Sequence, residues 1–594
     1  MALALLLPPN RLFPGSPRTE SVGSHDIATL TLHRALSPPQ ITAAILLTPT
    51  TPPITSPPMA QPSVGPPAQK LQATAAKLNK PLHLFPHASL NQPLYTDRTA
   101  AARRFAPHAW RGGLGQATVY DELMPALPLA DALDHFNEDA ALIARLDWCC
   151  LDPQLAERQL AVHLDAPEAM KLTFTQAPPG LSPLVTSRAV LRDFAEHDAG
   201  PGDALRYNPK KPTIDPIGRE ANIPIDASIR DHARRFIADT PDATARLSRL
   251  ANHLGDAFPT ADAATLTSTN AQLESDDFNH IAHPTSRIPH PPELHLELTP
   301  RRIALGPITP QHHLPELLNR PDLDTPLAHN LFQQLGQLGD ATLYLGHHGE
   351  PTLHPDFTEL VHAARDAGIP TIAIQTDLLL ERDAALALLD LPVDAIQVRL
   401  NADTAAVYEA EMGLDRFKQA ADNTLALLHE LQQRNSQAHG CEAAVRSTPS
   451  TPHIIPSLTK VTATLKDMES FFERWVTLCG HALIEPFPTA NGVIPPRFPV
   501  DMTPPKPDPA RFRYKHRLTV LADGTVTPCR HDLLGRASLG NAHDAPLVEL
   551  YQNLPDLTPD QAAALCWRCQ AHLANYHQHA TPAPLQLPAA PSAA

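Results

Sequence analysis

The run from residue 341 to residue 357 constrains the fold more than any other stretch of this chain. It reads Ala-Thr-Leu-Tyr-Leu-Gly-His-His-Gly-Glu-Pro-Thr-Leu-His-Pro-Asp-Phe. This order predicts a short buried strand at 342–345, a sharp turn that uses Gly346 and Gly349, and a helix that begins near Asp356. Strand and helix then alternate along the chain, which favours a parallel α/β sheet covered by helices. The further strands are predicted at 371–375 and 395–400, and the further helices at 381–389, 404–410 and 416–433.

Glycine and polar residues follow the ends of three of these strands. In parallel sheets, ligands bind in the crevice at the carboxyl ends of the strands. Residues that follow the strands are therefore candidates for a ligand site. They are Gly346–Pro351, Thr376-Asp377 and Asn401.

The same stretches carry a resemblance to a known family. Residues 345–357 resemble the glycine-glycine-x-glycine-glutamate-proline motif of radical S-adenosylmethionine (radical SAM) enzymes, and residues 376–378 resemble that family's "TNG" turn. Residues 394–401 resemble the family's next signature strand, and residues 518–569 are similar to the SPASM extension, which carries auxiliary iron–sulfur clusters. The resemblance implies a partial (β/α) radical SAM-type barrel over residues 292–440. It also implies S-adenosylmethionine contacts from Gly346, Gly349, Glu350, Pro351, Thr376 and Asn401, with Glu350 on the amino group of the methionine moiety.

The chain departs from that family where the catalytic cluster is expected. The family binds this cluster through a C-x3-C-x2-C motif just after the first strand, here 294–299, but residues 300–307 contain no cysteine. Thiolates hold such clusters, and arginine or alanine cannot replace them. Arg301-Arg302 is interpreted as a solvated pair, and His347, His348 and His354 as exposed loop histidines. We therefore expect that the radical chemistry has been lost.

The C-terminal segment predicts a small metal-binding module. Residues 517–521 and 525–527 form a predicted hairpin around Ala522-Asp523-Gly524. Three cysteines, a single one after the hairpin and a later C-x2-C pair, suit an auxiliary [4Fe-4S] cluster or zinc, with a histidine or Cys479 as the candidate fourth ligand. Three inert thiols are the alternative, and Cys149, Cys150 and Cys479 are interpreted as core thiols. The candidate metal ligands are Cys529, Cys566 and Cys569, completed by His531 or His516.

The N-terminal part predicts a different unit. Residues 1–65 are rich in proline and lack a regular period, which favours disorder. Within 66–250, a buried strand that ends at Asp147 and leads into Leu-Asp-Pro and a helix resembles the middle of sugar-nucleotide-type nucleotidyltransferases. That resemblance implies that Asp147 holds a divalent metal between nucleotide phosphates, although no glycine-rich loop follows a first strand. Residues 251–291 are interpreted as a linker.

Bulk properties exclude several classes of protein. The net charge of −16 argues against a surface for nucleic acid. No apolar run reaches the roughly 18 residues of a membrane span. The seven cysteines are odd in number and unevenly spread, which suits a reducing cytoplasm better than a disulfide framework. Residues 441–580 are assigned to a connecting segment and the SPASM-like hairpin-plus-helix module, and residues 581–594 to a disordered tail.

The leading hypothesis is an α/β protein with a nucleotidyltransferase-like domain, a degenerate radical SAM-like barrel and a SPASM-like module. Because the catalytic cysteines are missing, we expect a binding or scaffold role, or a non-radical activity on a peptide or sugar-nucleotide, rather than radical chemistry. One alternative is a working radical SAM/SPASM enzyme with unorthodox cluster ligation. Another is nucleotidyltransferase-like activity in the N-terminal domain. A peptide or small molecule is the expected partner, and the sequence does not give the oligomeric state.

Overall fold

The computed structural model of the chain contains two large β-sheets, one of seven strands and one of nine. None of the helices in the described ranges is long and apolar enough to cross a membrane. The described residues are 2–8, 20–49, 66–106, 110, 118–205, 216–230, 232, 234–279, 291, 293–338, 341–439, 452–480, 482–490, 494–495, 497 and 517–552. The strands are β1 (Ala2–Leu7), β2 (Ser21–Val22), β3 (His25–Asp26), β4 (Ile41–Pro49), β5 (Leu82–His87), β6 (Ala140–Arg145), β7 (Leu172–Thr175), β8 (Leu184–Ser187), β9 (Asn222–Ile223), β10 (Glu293–Leu296), β11 (Thr342–Leu345), β12 (Thr371–Thr376), β13 (Ala395–Arg399), β14 (His453–Lys460), β15 (Leu483–Pro486), β16 (Arg517–Val520), β17 (Thr525–Thr527) and β18 (Gly540–Asn541). The α-helices are α1 (Ile27–Leu36), α2 (Pro66–Lys77), α3 (Pro93–Phe105), α4 (Ala126–Phe136), α5 (Pro153–Asp165), α6 (Arg188–Glu196), α7 (Pro201–Leu205), α8 (Ala227–Arg230), α9 (Pro241–Leu254), α10 (Ala263–Asn279), α11 (Pro310–His313), α12 (Thr325–Leu338), α13 (Phe357–Asp366), α14 (Arg382–Ala387), α15 (Ala405–Met412), α16 (Phe417–His439), α17 (Leu465–Cys479) and α18 (Leu547–Gln552).

The N-terminal sheet has seven strands in the order β5-β4-β1-β6-β8-β7-β9. Strands β5, β4, β1 and β6 run parallel to one another, and β8 runs antiparallel to both of its neighbours. At the centre, Leu5 of β1 pairs with Ile45 on one side and with Ile143 on the other. The apolar run of β1 is therefore buried on both faces of the sheet, as is usual for a central parallel strand.

The prediction of disorder over residues 1–65 is wrong for residues 2–8 and 20–49. Every residue of Ala2–Leu7 is buried, and Ile41–Pro49 forms the neighbouring strand. A strand buried on both faces shows neither the alternation of a half-exposed strand nor a helical period, which is why the pattern was misread. This segment supplies the central strand of the N-terminal sheet.

The interpretation of residues 251–291 as a linker is also wrong for residues 251–279. Helix α9 continues to Leu254, and residues 263–279 form α10. Phe258 and Leu266 are buried in a cluster that also contains Cys149 and Cys150. The N-terminal unit therefore extends to residue 279, and residues 280–290 lie outside the described ranges.

The C-terminal sheet has nine strands in the order β15-β14-β13-β12-β11-β10-β16-β17-β18. Strands from β15 to β16 are parallel, and β17 and β18 continue the sheet in antiparallel fashion. One face packs against the helices in the large hydrophobic cluster that contains Leu294, Leu343 and Ile372. The alternate strand residues lie on the opposite, inner face. The prediction of an α/β fold with parallel sheets is confirmed.

The C-terminal sheet does not end near residue 440, as the sequence suggested. Strands β14 and β15, which follow that point, pair in parallel with β13 and with each other. The predicted hairpin is present, because β16 pairs antiparallel with β17 and Gly524 in the turn has a φ of 80°. Residues 453–460 and 483–486 therefore belong to the sheet rather than to a connecting segment.

Helix α3 of the N-terminal unit packs against the inner face of the C-terminal sheet. Phe105 is buried in a small cluster with Ala373, Ala395 and Ile455. Its ring also meets His453 edge-on, with 5.0 Å between the ring centroids. Because these residues lie in the amino-terminal halves of their strands, α3 covers the end of the inner face that is opposite to the candidate ligand edge.

Candidate functional site

The loops at the carboxyl edge of the C-terminal sheet bring the predicted ligand-binding residues together. Two glycines determine how closely these loops approach. Gly346 has a φ of 130°, and a Cβ on Gly349 would lie 1.6 Å from the backbone oxygen of Thr299. Only glycine fits at residue 349, because the loop after β10 touches the loop after β11 there.

Three residues at this edge that are not glycine adopt a positive φ. They are His347, Leu378 and Asn401, with φ values of 50°, 54° and 57°. Each follows the end of a different strand. Left-handed backbone at such residues costs free energy and concentrates at functional sites. The backbone therefore points to the same edge as the sequence motifs.

Arginines fill the centre of this edge. Arg302, from the loop after β10, forms a two-pronged ion pair with Asp377, with its Nε 2.7 Å from Oδ2 and its NH2 2.6 Å from Oδ1. The Nε of Arg399, at the end of β13, lies 3.1 Å from Oδ1 of Asp377, and its NH2 lies 3.4 Å from Glu350. The Arg302 side chain is only 4% exposed. Its interpretation as a solvated residue is therefore wrong, whereas Arg301 is half-exposed.

Glu350 is held by the protein on both of its carboxylate oxygens. Oε2 accepts a hydrogen bond of 2.6 Å from the backbone N–H of Asp377, and Oε1 accepts one of 2.8 Å from the Thr352 hydroxyl. Burial raises the pKa of Glu350 and the neighbouring Asp377 raises it further, whereas Arg399 lowers it. The carboxylate is thus already satisfied by groups of this chain.

The other predicted ligand residues stabilise the same loops. The Thr376 hydroxyl accepts a hydrogen bond of 2.9 Å from the Leu378 backbone, and Pro351 begins a short 3₁₀ turn, Pro351–Leu353. The side-chain Oδ1 of Asn401 accepts a hydrogen bond of 2.9 Å from the backbone N–H of Thr459. The last of these contacts connects the end of β13 to β14, and the first two stabilise the loops after β12 and β11 locally.

The histidines of the loop after β11 are not exposed, contrary to expectation. His347 is buried, and its Nε2 lies 2.5 Å from the backbone oxygen of Arg530. The Nε2 of His348 lies 3.2 Å from the same oxygen. His354 is buried as well and lies 3.0 Å from the backbone oxygen of Leu323. The first two rings attach the loop after β11 to the segment that follows the C-terminal hairpin.

The predicted metal ligands are only partly within the described residues. Cys529 follows β17, and its Sγ accepts a hydrogen bond of 3.4 Å from the backbone of His531. Burial raises the pKa of Cys529, and burial together with Arg530 and Arg517 lowers the pKa of His531 well below its usual range. Within the described residues, no group of three or more His, Cys, Asp or Glu side chains could hold a metal ion. Cys566, Cys569 and His516 lie outside those residues.

The interpretation of Cys149, Cys150 and Cys479 as core thiols agrees with the burial of only two of them. Cys149 and Cys150 are buried as expected, whereas Cys479 is only partly buried. The Cys479 thiol donates a hydrogen bond of 3.1 Å to the backbone oxygen of Trp475, one turn earlier in α17. This thiol therefore caps a helix turn rather than filling the core.

Asp147 lies just beyond the end of β6, at the carboxyl edge of the N-terminal sheet. The NH2 of Arg103 on α3 lies 2.8 Å from its Oδ2. The same guanidinium lies 2.6 Å from Glu122 and 3.4 Å from Asp239. The sequence identified Asp147 at a strand end but gave no signal for Arg103, Glu122 or Asp239, because these residues meet it only in the folded chain.

A comparison with curated proteins gives a sequence relative of low identity. No family model matches the chain. A protein of Treponema pallidum (strain Nichols), described as uncharacterized, is 24% identical over 121 residues, which make up 20% of this chain and 33% of that protein. The chain thus matches about a third of the length of this curated relative.

Several solved structures are similar in overall shape. SuiB of Streptococcus suis bound to S-adenosylmethionine has 11% identity and a TM-score of 0.37, over 61% of this chain and 94% of that chain. The structure anSMEcpe with bound AdoMet has 13% identity and a TM-score of 0.33, over 47% and 87%. A cytidylyltransferase from Leptospira borgpetersenii serovar Hardjo-bovis (strain JB197) has 12% identity and a TM-score of 0.28, over 46% and 96%. Similarity this low carries no argument about activity, and the α/β architecture rests on the strand order of this chain itself.

Proposed function

We propose that the C-terminal unit is a radical SAM-type fold without radical chemistry, which serves as a binding or scaffold module. The observation that carries the proposal is the pairing of Arg302 and Arg399 with Asp377 and Glu350 at the carboxyl edge of the sheet. These side chains take up the place in which the resemblance puts the cofactors.

The loop after β10 does not fit a catalytic iron–sulfur cluster. Residues 300–307 contain no cysteine, and no cysteine occurs anywhere between Cys150 and Cys441. Instead, this loop sends Arg302 onto Asp377 across the edge of the sheet. A cluster needs thiolates, whereas this loop supplies a buried cation that is already paired.

The loop after β11 does not fit S-adenosylmethionine either. The resemblance assigns Glu350 to the amino group of the methionine moiety. In this chain the backbone of Asp377 and the guanidinium of Arg399 occupy Glu350 Oε2. A ligand ammonium would have to displace a buried cation from its carboxylates, which is costly. The chain's own Arg399 takes the place of that ammonium.

The module after the hairpin is the part of the chain for which we propose a metal site. Cys529 and His531 lie close together after β17, and Cys566 and Cys569 supply the spacing of a metal knuckle. We propose an auxiliary [4Fe-4S] cluster or a zinc ion on these residues. A peptide or a small molecule remains the ligand class that the resemblance implies for the module as a whole, and a reducing cytoplasm remains the expected location.

The test is to purify the full chain anaerobically, reconstitute it with iron and sulfide, and measure metal, sulfide and reductive cleavage of S-adenosylmethionine. The matched control is the variant Cys566→Ala/Cys569→Ala. The proposal expects about four irons, or about one zinc, lost in the variant, and no 5′-deoxyadenosine. About eight irons, or any 5′-deoxyadenosine formed reductively, would instead support a working radical enzyme and overturn the proposal.

A further inference from the structure

Arg103 lies in the middle of three buried carboxylates at the carboxyl edge of the N-terminal sheet. Its three nitrogens point to different partners: Nε to Glu122 at 2.6 Å, NH2 to Asp147 at 2.8 Å and NH1 to Asp239 at 3.4 Å. None of the four side chains is more than 3% exposed. Three carboxylates thus converge on one cation. Here the cation is part of the chain.

Two more arginines complete the charge balance of this cluster. Arg235 lies 3.0 Å from Asp239, and Arg145 donates a hydrogen bond of 3.0 Å to the backbone oxygen of Glu122. The side chains of Glu122, Asp147 and Asp239 carry three negative charges against the three positive charges of Arg103, Arg145 and Arg235. Counted over the described residues, these side chains therefore balance without an added ion.

A divalent cation added to this neutral cluster would leave two uncompensated charges in a buried place. Taking an unpaired charge out of water is unfavourable. Burial also lowers the pKa of Arg145, to about 10, and the nearby Arg103 contributes to that shift.

The position of Arg103 depends on both sheets, because α3 also packs against the C-terminal sheet. The next residue, Arg104, lies 3.1 Å from Asp394 at the start of β13. Phe105 fills the small cluster on the inner face. Successive side chains of a helix point in different directions, so neighbouring residues at the end of α3 can contact both sheets.

We propose that Arg103 is the resident cation of the carboxylate cluster in the N-terminal sheet and takes the place of the divalent metal that the resemblance assigns to Asp147. The N-terminal unit then works without a metal at Asp147. Nucleotide phosphates have no metal bridge at this edge, and the unit acts through its surface or its contact with the C-terminal sheet. This inference is independent of the function proposed for the C-terminal unit.

The test compares Mn²⁺ binding to full-length wild type, Arg103→Met and the charge-balanced double variant Arg103→Met/Asp147→Asn, by electron paramagnetic resonance and by the shift in thermal unfolding. Arg103→Met leaves one carboxylate unbalanced. We expect this variant to be less stable than wild type and to bind Mn²⁺ at least about tenfold more tightly than wild type does. Mn²⁺ should therefore raise the unfolding temperature of this variant. The double variant restores neutrality, so it should regain stability and lose the response to Mn²⁺.

The control is Arg98→Met, on the same helix. Arg98 donates hydrogen bonds to the backbone oxygens of Asp198 and Ala199, so its removal should leave Mn²⁺ binding unchanged. Wild type that binds Mn²⁺ as tightly as Arg103→Met would overturn the proposal, as would a folded Arg103→Met that binds none. If Arg103→Met does not fold, the double variant provides the test. The proposal requires that the double variant folds, because its charge balance is restored, and a double variant that fails to fold would contradict the proposal.

Discussion

Asp377 is the residue on which the ion pairs of the C-terminal sheet converge. Arg302 and Arg399 both lie within 3.1 Å of its carboxylate, and its backbone N–H donates to Glu350. Burial acts against ionisation of Asp377, yet the two arginines hold the pKa of this carboxyl below its ordinary value. A folded-state pKa below the unfolded one means that the ionised carboxylate stabilises the fold.

The first prediction concerns Asp377→Asn and its dependence on pH. Removal of the charge leaves Arg302 and Arg399 without their shared partner, and breaking a buried pair in this way costs about 3–5 kcal/mol. The stabilisation is present above the unfolded pKa of about 3.9 and is lost as the pH falls through the lower folded pKa. Urea unfolding should therefore show a constant gap between variant and wild type from pH 7 to about pH 5, which narrows below about pH 4.

The control for this prediction is Asp322→Asn, which removes a carboxylate from the half-exposed pair with Arg301. Surface changes of this kind usually stay within about 0.5 kcal/mol. Equal stability of Asp377→Asn and wild type at pH 7 would show that the ion pairs at this edge do not stabilise the fold.

At the scale of single elements, β1 is the strand that the rest of the N-terminal sheet is built around. All six residues of Ala2–Leu7 are buried, and the strand pairs in parallel on both sides. Leu5 is completely buried at its centre. An element of this kind contributes to the core on both faces of the sheet.

The second prediction follows from the position of Leu5. Replacing Leu5 with alanine should lower the free energy of unfolding by about 2–5 kcal/mol, because the buried strand cannot close the resulting cavity. The matched control is Leu84→Ala on β5, where the leucine is exposed and the loss should be small. Denaturant titration of both variants measures the difference, and equal values would contradict the central position of β1.

At the scale of the whole molecule, α3 joins the two sheets. Arg103 enters the carboxylate cluster of the N-terminal sheet, while Phe105 packs against Ala395 and Ile455 of the C-terminal sheet. Both contacts are buried and lie two residues apart on one helix. The two halves of the chain are therefore expected to unfold together.

The third prediction is that Phe105→Ala separates the unfolding of the two halves. Loss of a buried aromatic ring costs about 3–5 kcal/mol, here at the contact between the sheets. Calorimetry should show one transition for wild type and two for the variant, and amide hydrogen exchange should increase in β13 and β14. Phe136→Ala is the control, because that ring packs against Phe85 within the N-terminal unit. A variant that keeps a single transition at the wild-type temperature would show that α3 does not couple the halves.

Much of the C-terminal sheet could be read from the sequence. Strand β11 ends at Leu345 as predicted, β12 and β13 end within one residue of the prediction, and the hairpin turn lies at Asp523-Gly524. These features depend on period, glycine and turn chemistry over a few neighbouring residues. Strand β1 was not predicted, because burial on both faces removes the alternation of apolar and polar residues on which a strand prediction depends.

The sequence by itself determined the α/β architecture with parallel strands, the candidate ligand edge of the C-terminal sheet, and the lack of cysteines in the loop after β10. Only the tertiary structure decided what fills the two candidate sites. Arg302 meets Asp377 across 75 residues of chain, and Arg103 meets Asp147 across 44. Such pairs leave no local pattern, because the free energy of a buried ion pair depends on distance and burial in the folded chain rather than on spacing along it.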